Sequence, residues 1–249
     1  MIRYDFTGRH AIVTGGTRGI GGAVSKALLD AGATVTALYA GNESAAKLFR
    51  QALPEEQHGR FEAVRCNVAD LAQVEAFFAD YDAGHPQLDF LVSCAGIRRD
   101  GVAAMLSEED WKAVLSVNLD GAFHTAKAAV LRMLRKRYGR IVMLTSPMGR
   151  LGWNGQANYA ASKAGLCGLC RSLAKETARR GITVNCVSPG FIDTDFIGEL
   201  PEEQRRQYTE LVPLRRFGKP DEVAASVLYL LSEEAAYVTG SVLEIAGGL

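Results

Sequence analysis

Short apolar runs alternate with longer amphipathic segments along the chain. Several of the short runs are continuous β-branched or leucine stretches, as is typical of strands buried on both faces. They predict strands at His10–Thr14, Thr34–Leu38, Phe61–Cys66, Leu88–Ser93, Arg140–Thr145, Thr183–Ser188 and Ser241–Ala246. The segments between them predict helices at Gly19–Ala31, Ser44–Leu53, Leu71–Tyr81, Glu108–Arg137, Asn158–Arg180 and Asp221–Leu230.

This regular alternation determines the predicted fold class. It predicts an α/β protein in which a doubly wound parallel sheet of about seven strands has helices on both faces. No repeat, linker or low-complexity tract interrupts the 249 residues. We therefore expect a single domain over residues 1–249.

The segment from Asp193 to Lys219 breaks the alternation. It is charged, and its one helix-like piece, Glu202–Glu210, is short. It follows a strand end, where α/β sheets bind ligands. We favour a lid over a substrate, and a solvated connecting helix is the alternative.

Charge and hydropathy exclude several classes of protein. The 28 basic and 28 acidic residues cancel, whereas a nucleic-acid-binding protein usually shows a basic excess. No run of 18 apolar residues is present, so we expect no contact with a membrane. The first residues lack the apolar core of a signal peptide. These features predict a cytoplasmic protein.

Five cysteines, an odd number, show no disulfide spacing. Cys167 and Cys170 form a Cys-x-x-Cys pair, but they lie inside a predicted helix and not at its N-terminus, where the dipole lowers a thiol pKa. No further residues have the spacing of zinc ligands. We favour small buried side chains and expect no metal; a redox pair is the alternative.

A glycine-rich turn joins the first strand to the first helix. The run Thr14–Gly21 reads TGGTRGIG, with Gly15, Gly19 and Gly21 in the pattern G-x-x-x-G-x-G. Such glycines allow a tight turn, close approach to a pyrophosphate and close packing of helix on strand. The helix N-terminus offers free N–H groups to phosphate. Strand, turn and helix in this order predict a dinucleotide-binding domain of the Rossmann type.

The end of the second strand indicates which dinucleotide binds. NAD-binding folds usually place an acidic residue there for the ribose hydroxyls. The stretch Thr36–Asn42 has none, and the first acid is Glu43. Arg18 in the glycine turn is available for a 2′-phosphate. We therefore infer NADPH (NADP⁺) as the cofactor.

Tyr159 and Lys163 carry the strongest chemical signal. Their spacing places both side chains on one face of a predicted helix, one turn apart. A free phenol has a pKa of about 10, and a fixed cation nearby lowers such a value. A phenol of this kind can protonate an oxygen as hydride reaches the adjoining carbon. Ser146, thirteen residues upstream, supports this interpretation.

With these residues the chain resembles the short-chain dehydrogenase/reductase family over essentially its whole length. Within that family it is similar to bacterial 3-oxoacyl-[acyl-carrier-protein] reductases. The motifs that carry the resemblance are Thr14–Gly21, Asn67-Val68, Ala95-Gly96, Asn118, Ser146, Tyr159 with Lys163, and Ser188-Pro189-Gly190. The stretches Gln156–Ala161, Pro189–Asp195 and Ala235–Gly240 also match the subfamily.

The resemblance implies a catalytic tetrad. Tyr159 would be the general acid, and Lys163 would tune its acidity and hold the nicotinamide ribose. Ser146 would hydrogen-bond the substrate carbonyl and stabilise charge on its oxygen. Asn118 would hold a water in a proton relay to Lys163. The cofactor would supply the hydride, so that the protein supplies orientation and the proton.

The resemblance also implies further contacts. Asn67 and Val68 would flank the adenine, and Ile192 would contact the carboxamide. Arg137 and Arg180 match positions that face the acidic carrier protein, and ordinary charges at helix ends are the alternative for this pair. The full cofactor-binding set would be Gly15, Thr17, Arg18, Gly19, Ile20, Gly21, Asn67, Val68, Ala95, Gly96, Tyr159, Lys163, Pro189, Gly190 and Ile192.

Three departures from the subfamily pattern bear on the substrate. Ser93-Cys94 replaces the usual Asn-Asn, whose amides would fix the loop and touch the cofactor ribose. Pro147 removes a backbone donor beside the catalytic serine. Trp153 lies where small residues are common, either as a flat wall against the substrate or as interface packing. These changes favour a specialised carrier-bound ketone.

The leading hypothesis is NADPH-dependent reduction of a 3-oxoacyl thioester on acyl carrier protein to the 3-hydroxyacyl product, as in fatty-acid or related polyketide biosynthesis. Ser146, Trp153 and Tyr159 would contact the substrate. A dehydrogenase of a free small alcohol, sugar or polyketide is the alternative, followed by a non-catalytic NADP-binding protein. The resemblance implies a homotetramer, and the predicted helices Glu108–Arg137 and Asn158–Arg180, rich in Ala, Leu and Cys, suit a symmetric interface.

Overall fold

All seven predicted strands are present, and they form one parallel sheet. A computed structural model of the chain describes residues 4–194 and 201–249. The sheet order is β3-β2-β1-β4-β5-β6-β7, with each neighbouring pair parallel. The order reverses between β1 and β4, as in a doubly wound Rossmann-type sheet, so the predicted fold class is confirmed. The strands are β1 (His10–Thr14), β2 (Thr34–Tyr39), β3 (Phe61–Arg65), β4 (Phe90–Ser93), β5 (Gly139–Leu144), β6 (Ile182–Pro189) and β7 (Val242–Ile245).

Helices connect the strands and cover both faces. Most begin and end within a few residues of their predicted bounds, and the short α6 was not predicted. They are α1 (Gly19–Asp30), α2 (Glu43–Ala52), α3 (Leu71–Gly84), α4 (Glu108–Leu115), α5 (Gly121–Lys136), α6 (Met148–Leu151), α7 (Ala157–Thr177), α8 (Glu202–Leu211) and α9 (Pro220–Leu231). Short 3₁₀ turns lie at Glu55–Arg60, Ala178–Arg180 and Glu233–Ala235.

Alternate residues of each strand enter two separate cores. In β1, Val13 faces the core under α1 and α9, whereas Ile12 faces the core under α3, α5 and α7. In β5, Val142 and Ile141 divide in the same way. Because successive side chains point to opposite faces of a sheet, a continuous apolar run fills both layers. This explains why apolar runs without alternation predicted the central strands correctly.

One predicted helix is wrong as a continuous element. The stretch Glu108–Arg137 is divided by a π-helical turn at Ser116–Asp120, which contains Asn118. It also ends before Arg137, whose φ of 53° is left-handed. Single π turns inside helices are frequently found at functional sites. Helical periodicity alone could not reveal this turn, because the side chains on either side still follow an amphipathic pattern.

The segment predicted as a lid is only partly described. Residues 195–200 lie outside the described residues. Beyond them, α8 forms where a short helical piece was predicted, and none of its residues is buried. No helix within residues 4–194 and 201–249 is long and apolar enough to cross a membrane.

Candidate active site

The predicted catalytic and cofactor-binding residues that follow the strands lie at one edge of the sheet. Ser146 follows the carboxyl end of β5, and Pro189 and Gly190 lie at the carboxyl end of β6. The glycine turn follows β1 at the same edge, and Ala95 and Gly96 come shortly after β4. In a parallel sheet the carboxyl ends of the strands meet along one edge, which is where such folds bind ligands.

Lys163 is buried at the centre of this edge. Its side chain lies on α7, its exposed fraction is 5%, and its Nζ donates a hydrogen bond to the carbonyl of Leu144 at 2.7 Å. The same Nζ lies 5.6 Å from the ring centroid of Tyr159, as their spacing on the helix predicted. A lysine ammonium has three donors, so two N–H groups remain for a ligand.

Asn118 links the loop after β4 to α7. Its Oδ1 accepts from the N–H of Ile97 at 2.8 Å, and its Nδ2 donates to the Ile97 carbonyl at 3.0 Å. The Nδ2 also donates to Ser162 Oγ at 3.1 Å. A Cβ placed on Gly96 would lie 3.4 Å from Asn118 Oδ1 and 3.6 Å from Lys163 Nζ. Asn118 therefore positions the loop directly beside the lysine.

Ser146 is carried on a segment that packs against α7. The preceding residue, Thr145, donates from Oγ1 to the carbonyl of Lys163 at 2.7 Å. A Cβ on Gly149 would meet the backbone of Lys163 and Ala164 at 2.8–2.9 Å. Pro147 immediately precedes α6, where a missing N–H is tolerated. The predicted loss of a backbone donor therefore has no structural cost here.

The phenol of Tyr159 is available for chemistry. The side chain is half-buried, and its backbone is held by Asn158 Oδ1 at 2.7 Å and by Ser162 Oγ at 2.7 Å. Within the described part of the chain, the phenol oxygen itself makes no hydrogen bond. It can therefore exchange a proton with a substrate without breaking a structural contact.

Arg98 is a residue of this site that the sequence did not reveal. Its guanidinium carbon lies 5.8 Å from the ring centroid of Tyr159, and it forms an ion pair with Asp100. The signal available in the sequence was its place two residues after Gly96. The ring of Tyr159 is thus approached by two cations, Lys163 and Arg98.

The glycine turn has the geometry that its motif predicts. Gly15 and Gly19 have φ values of 64° and 52°, which are strained for other residues. A Cβ on Gly21 would lie 2.2 Å from the carbonyl oxygen of Gly15, and one on Gly15 would lie 3.1 Å from Ala95. These contacts leave no room for a side chain where the first turn of α1 meets the loop after β4.

The start of α1 fits a pyrophosphate. Arg18 precedes α1, and its side chain makes no cap hydrogen bond to the first N–H groups of the helix. Those groups and the positive end of the helix dipole favour an anion. The remaining donors of Lys163 would be available to a ribose hydroxyl. These features fit a dinucleotide that lies across the edge from α1 to α7.

The other predicted cofactor contacts are present, with their side chains already engaged. Val68 is buried against Gly121, and Asn67 accepts from Ala69 N at 3.2 Å. The side chain of Ile192 is buried close to Gly218. These residues would therefore meet a cofactor mainly through their main-chain groups, and their binding role remains a prediction.

The loop with Ser93-Cys94 is fixed without the amides of the subfamily pattern. The N–H of Ala95 donates to Thr14 Oγ1 at 3.0 Å. Two residues later, the main chain of Ile97 is held by Asn118. Ser93 Oγ is buried without a hydrogen-bond partner in the described residues. Burial raises the pKa of the Cys94 thiol to about 12, so this residue acts as a small apolar side chain.

Trp153 belongs to an aromatic cluster beside the site. Its ring lies edge-on to Phe191 and to Tyr208, with centroids 6.0 Å apart in both pairs. Phe191 and Tyr208 are stacked at 4.7 Å. Trp153 and Phe191 extend from the loops after β5 and β6, whereas Tyr208 belongs to α8. The cluster therefore attaches α8 to the carboxyl edge of the sheet. Neither role predicted for Trp153, a wall against the substrate or interface packing, included this contact.

Cys167 and Cys170 have different surroundings. Cys170 is fully buried and donates to the carbonyl of Val184 at 3.3 Å. Cys167 is half-buried, and its thiol contacts Thr145 Oγ1 and the carbonyl of Lys163, each at 3.6 Å. Among the described residues, no group of three or more His, Cys, Asp or Glu could hold a metal ion.

We predict that Cys167 reacts first with iodoacetamide. Hydrogen bonding with Cys186 and with Thr145 lowers the pKa of the Cys167 thiol below its usual range, whereas burial raises the pKa of Cys66 to about 11. Because the thiolate is the nucleophile, labelling of Cys167 should become fast at a lower pH than labelling of an ordinary cysteine. Mass spectrometry of native protein checks this, with Cys167→Ser as the control. Rapid labelling of Cys66 at pH 7 would contradict it.

Arg137 and Arg180 lie at the other edge of the sheet. Arg137 precedes β5, and Arg180 precedes β6. The two segments touch, because Arg137 donates to the carbonyl of Arg179 at 3.2 Å. The strand β6 has eight residues, which span about 26 Å. Arg137 and Arg180 are therefore far from the carboxyl edge of the sheet in their own chain, where Ser146 and the glycine turn lie.

The chain is similar to known reductases over most of its length. A family model described as enoyl-(acyl carrier protein) reductase matches residues 15–249. The chain is 41% identical over 245 residues to the 3-oxoacyl-[acyl-carrier-protein] reductase FabG of Escherichia coli (strain K12), with 98% of each chain covered. It is 39% identical over 241 residues to FabG of Staphylococcus aureus (strain Mu50), with 97% of this chain and 98% of the relative covered.

Proposed function

The chain belongs to the short-chain dehydrogenase/reductase family of oxidoreductases, and from this premise we propose that it reduces a 3-oxoacyl thioester on acyl carrier protein to the 3-hydroxyacyl thioester, with NADPH as the reductant. The observation that carries the proposal is that Lys163 Nζ lies 5.6 Å from the ring centroid of Tyr159 at the carboxyl edge of the sheet, the edge at which Ser146 follows β5. The identity to FabG over nearly the full length supports the substrate class.

The proposed mechanism assigns a role to each residue. The hydroxyl groups of Ser146 and Tyr159 would both donate to the substrate ketone, so that charge developing on its oxygen is stabilised. Tyr159 would give its proton to that oxygen, and Lys163 would bind the nicotinamide ribose. NADPH, when bound, supplies the hydride. Asn118 would maintain the distance between Gly96 and α7. Because its side chain already bonds Ile97, other groups of this residue would hold the water of the proposed relay.

The choice of NADPH follows from charge at the end of β2. No acidic residue lies at Tyr39 or in the three residues that follow. Arg18 is exposed, and its side chain makes no hydrogen bond or ion pair within the described parts of the chain. An acid at this strand end would repel a 2′-phosphate, whereas an arginine would bind one.

Docking of a carrier at Arg137 and Arg180 would involve a second copy of the chain. A carrier bound at Arg137 and Arg180 would face the edge opposite its own catalytic residues. We propose that such a carrier delivers its acyl group to the site of a neighbouring subunit in the homotetramer. The aromatic cluster of Trp153, Phe191 and Tyr208 would then form one wall for that acyl group.

We predict that Arg137→Glu with Arg180→Glu raises KM for an acyl-carrier substrate about tenfold or more. Reversing two charges at a docking surface costs affinity mainly through repulsion. Activity on the same acyl group attached to coenzyme A should be unchanged, because both residues are far from the catalytic edge. Arg171→Glu with Lys175→Glu, also exposed near this region on α7, is the control. Equal loss on both substrates would reject docking at this pair.

The activity itself is tested by absorbance at 340 nm. Purified protein should oxidise NADPH faster than NADH with acetoacetyl-acyl carrier protein, and faster with that substrate than with acetoacetyl-coenzyme A. A crotonyl thioester should give no turnover, which separates ketone reduction from the enoyl reduction named in the family description. Turnover of crotonyl thioester alone would replace the proposed reaction, and turnover of free ketones alone would favour a dehydrogenase of small molecules.

A further inference from the structure

Two arginines border the carboxyl end of β2, one on each side. The sheet order places β2 between β1 and β3. Arg18 lies in the turn after β1, and Arg65 is the last residue of β3. Arg65 is aligned with Tyr39, the last residue of β2. It shares a strand face with Phe61 and so points towards the layer that contains α1 and α2.

The guanidinium of Arg65 is held in place but mostly unused. Its Nε donates to the carbonyl of Ala40 at 3.2 Å, immediately beyond the end of β2. The residue is exposed. In the described parts of the chain its two terminal nitrogens make no hydrogen bond and no ion pair. Four N–H groups therefore remain available at a fixed position.

The first acidic residues that follow β2 and β3 in the chain, Glu43 and Asp70, already have other partners. Glu43 forms an ion pair with Lys47 at 2.6 Å, and Lys47, followed by Arg65, holds the pKa of Glu43 below its usual range. Asp70 accepts from the N–H groups of Ala72 and Gln73 at the start of α3. Around the end of β2, positive charge therefore exceeds negative charge.

We propose that Arg65 is a second ligand for the 2′-phosphate of NADPH, opposite Arg18. This inference rests on the proposed function, because it takes NADPH as the cofactor. In this fold the 2′ position of the adenosine ribose lies at the end of β2, where Ala40 anchors Arg65. A guanidinium binds phosphate through paired N–H groups, and two of them on opposite sides would balance its double charge.

The test is direct binding to purified full-length protein, measured by isothermal titration calorimetry. Arg65→Ala should weaken NADPH binding roughly 10–100-fold, the loss of one charged hydrogen-bonding partner. Binding of NADH should not change. The pair 2′,5′-ADP and 5′-AMP should show the same contrast without any contribution from the nicotinamide. Arg65→Lys should give an intermediate loss, because lysine retains the charge but not the paired donors.

Arg50→Ala is the matched control, since its guanidinium bonds the carbonyl of Phe61 at the opposite end of β3. It should bind NADPH and NADH as the wild type does. If the wild type prefers NADPH and Arg65→Ala keeps that preference, the inference is rejected while the proposed cofactor stands. If the wild type binds NADH as tightly as NADPH, the proposed cofactor is rejected, and the role of Arg65 with it.

Discussion

Replacing Tyr159 with phenylalanine is expected to lower turnover by about 10²–10⁴-fold, the usual contribution of a positioned general acid. The substitution removes one oxygen, which makes no hydrogen bond to the described residues. The contacts of Asn158 and Ser162 with its main chain are unaffected. The free energy of unfolding should therefore stay within about 0.5 kcal/mol of the wild type, and NADPH affinity should be nearly unchanged.

Three measurements separate catalysis from structure in this variant. NADPH oxidation reports turnover, calorimetry reports cofactor affinity, and thermal unfolding reports stability. Tyr237→Phe is the control, because its phenol is fully exposed. Unchanged turnover in Tyr159→Phe would reject the proposed mechanism. Lost turnover together with lost NADPH binding would instead indicate that the phenol holds the cofactor. The loss of turnover would then not identify the phenol as the general acid.

Replacing Gly21 with alanine is expected to disrupt the cofactor site and to destabilise the fold. The added Cβ would lie 2.2 Å from the carbonyl oxygen of Gly15 and 3.2 Å from Cβ of Cys94. Because the nearest atom belongs to the backbone of the glycine turn, the turn itself must move. Overpacking of this kind costs about 1–3 kcal/mol, which lowers Tm by about 2–4 °C per kcal/mol in a chain of this size.

The displaced turn should also weaken NADPH binding by about tenfold or more, equivalent to at least ~1.4 kcal/mol. The first N–H groups of α1 would no longer be directed at the pyrophosphate. Gly59→Ala is the matched control, since nothing lies within 4 Å of its added Cβ. It should leave both Tm and affinity unchanged. A Gly21→Ala protein that binds NADPH like the wild type would show that this turn does not hold the cofactor.

The two predictions test different halves of the site. The glycine turn belongs to the first βα unit, whereas Tyr159 lies on α7, after β5. A protein that loses turnover through Tyr159→Phe and affinity through Gly21→Ala would be an enzyme with separable binding and proton-transfer parts. A non-catalytic NADP-binding protein would respond only to the second substitution.

Most of the fold could be predicted from local sequence. Continuous apolar runs require strands covered on both faces, and alternation with helices requires parallel connections, so β1, β4 and β5 were found nearly at their observed bounds. The helix Glu108–Arg137 was predicted wrongly as one element. Its π turn depends on the bonds of Asn118 to Ile97 and Ser162, which come from distant parts of the chain.

The sequence by itself identified the candidate site residues. A glycine turn must have glycines because the backbone has left-handed φ values there, and Tyr159 with Lys163 must share a helix face because of their spacing. These are local constraints, since each is satisfied within one turn or one helix. The same holds for the absence of an acid at the end of β2.

Only the tertiary structure decided which of these residues meet, and what surrounds them. The places of Arg98 beside Tyr159, of Arg65 beside Ala40 and of Trp153 against Tyr208 depend on how separate loops pack at one sheet edge. The separation of Arg137 and Arg180 from that edge depends on strand direction. Contacts of this kind join residues far apart in the chain, and no local periodicity or spacing encodes them.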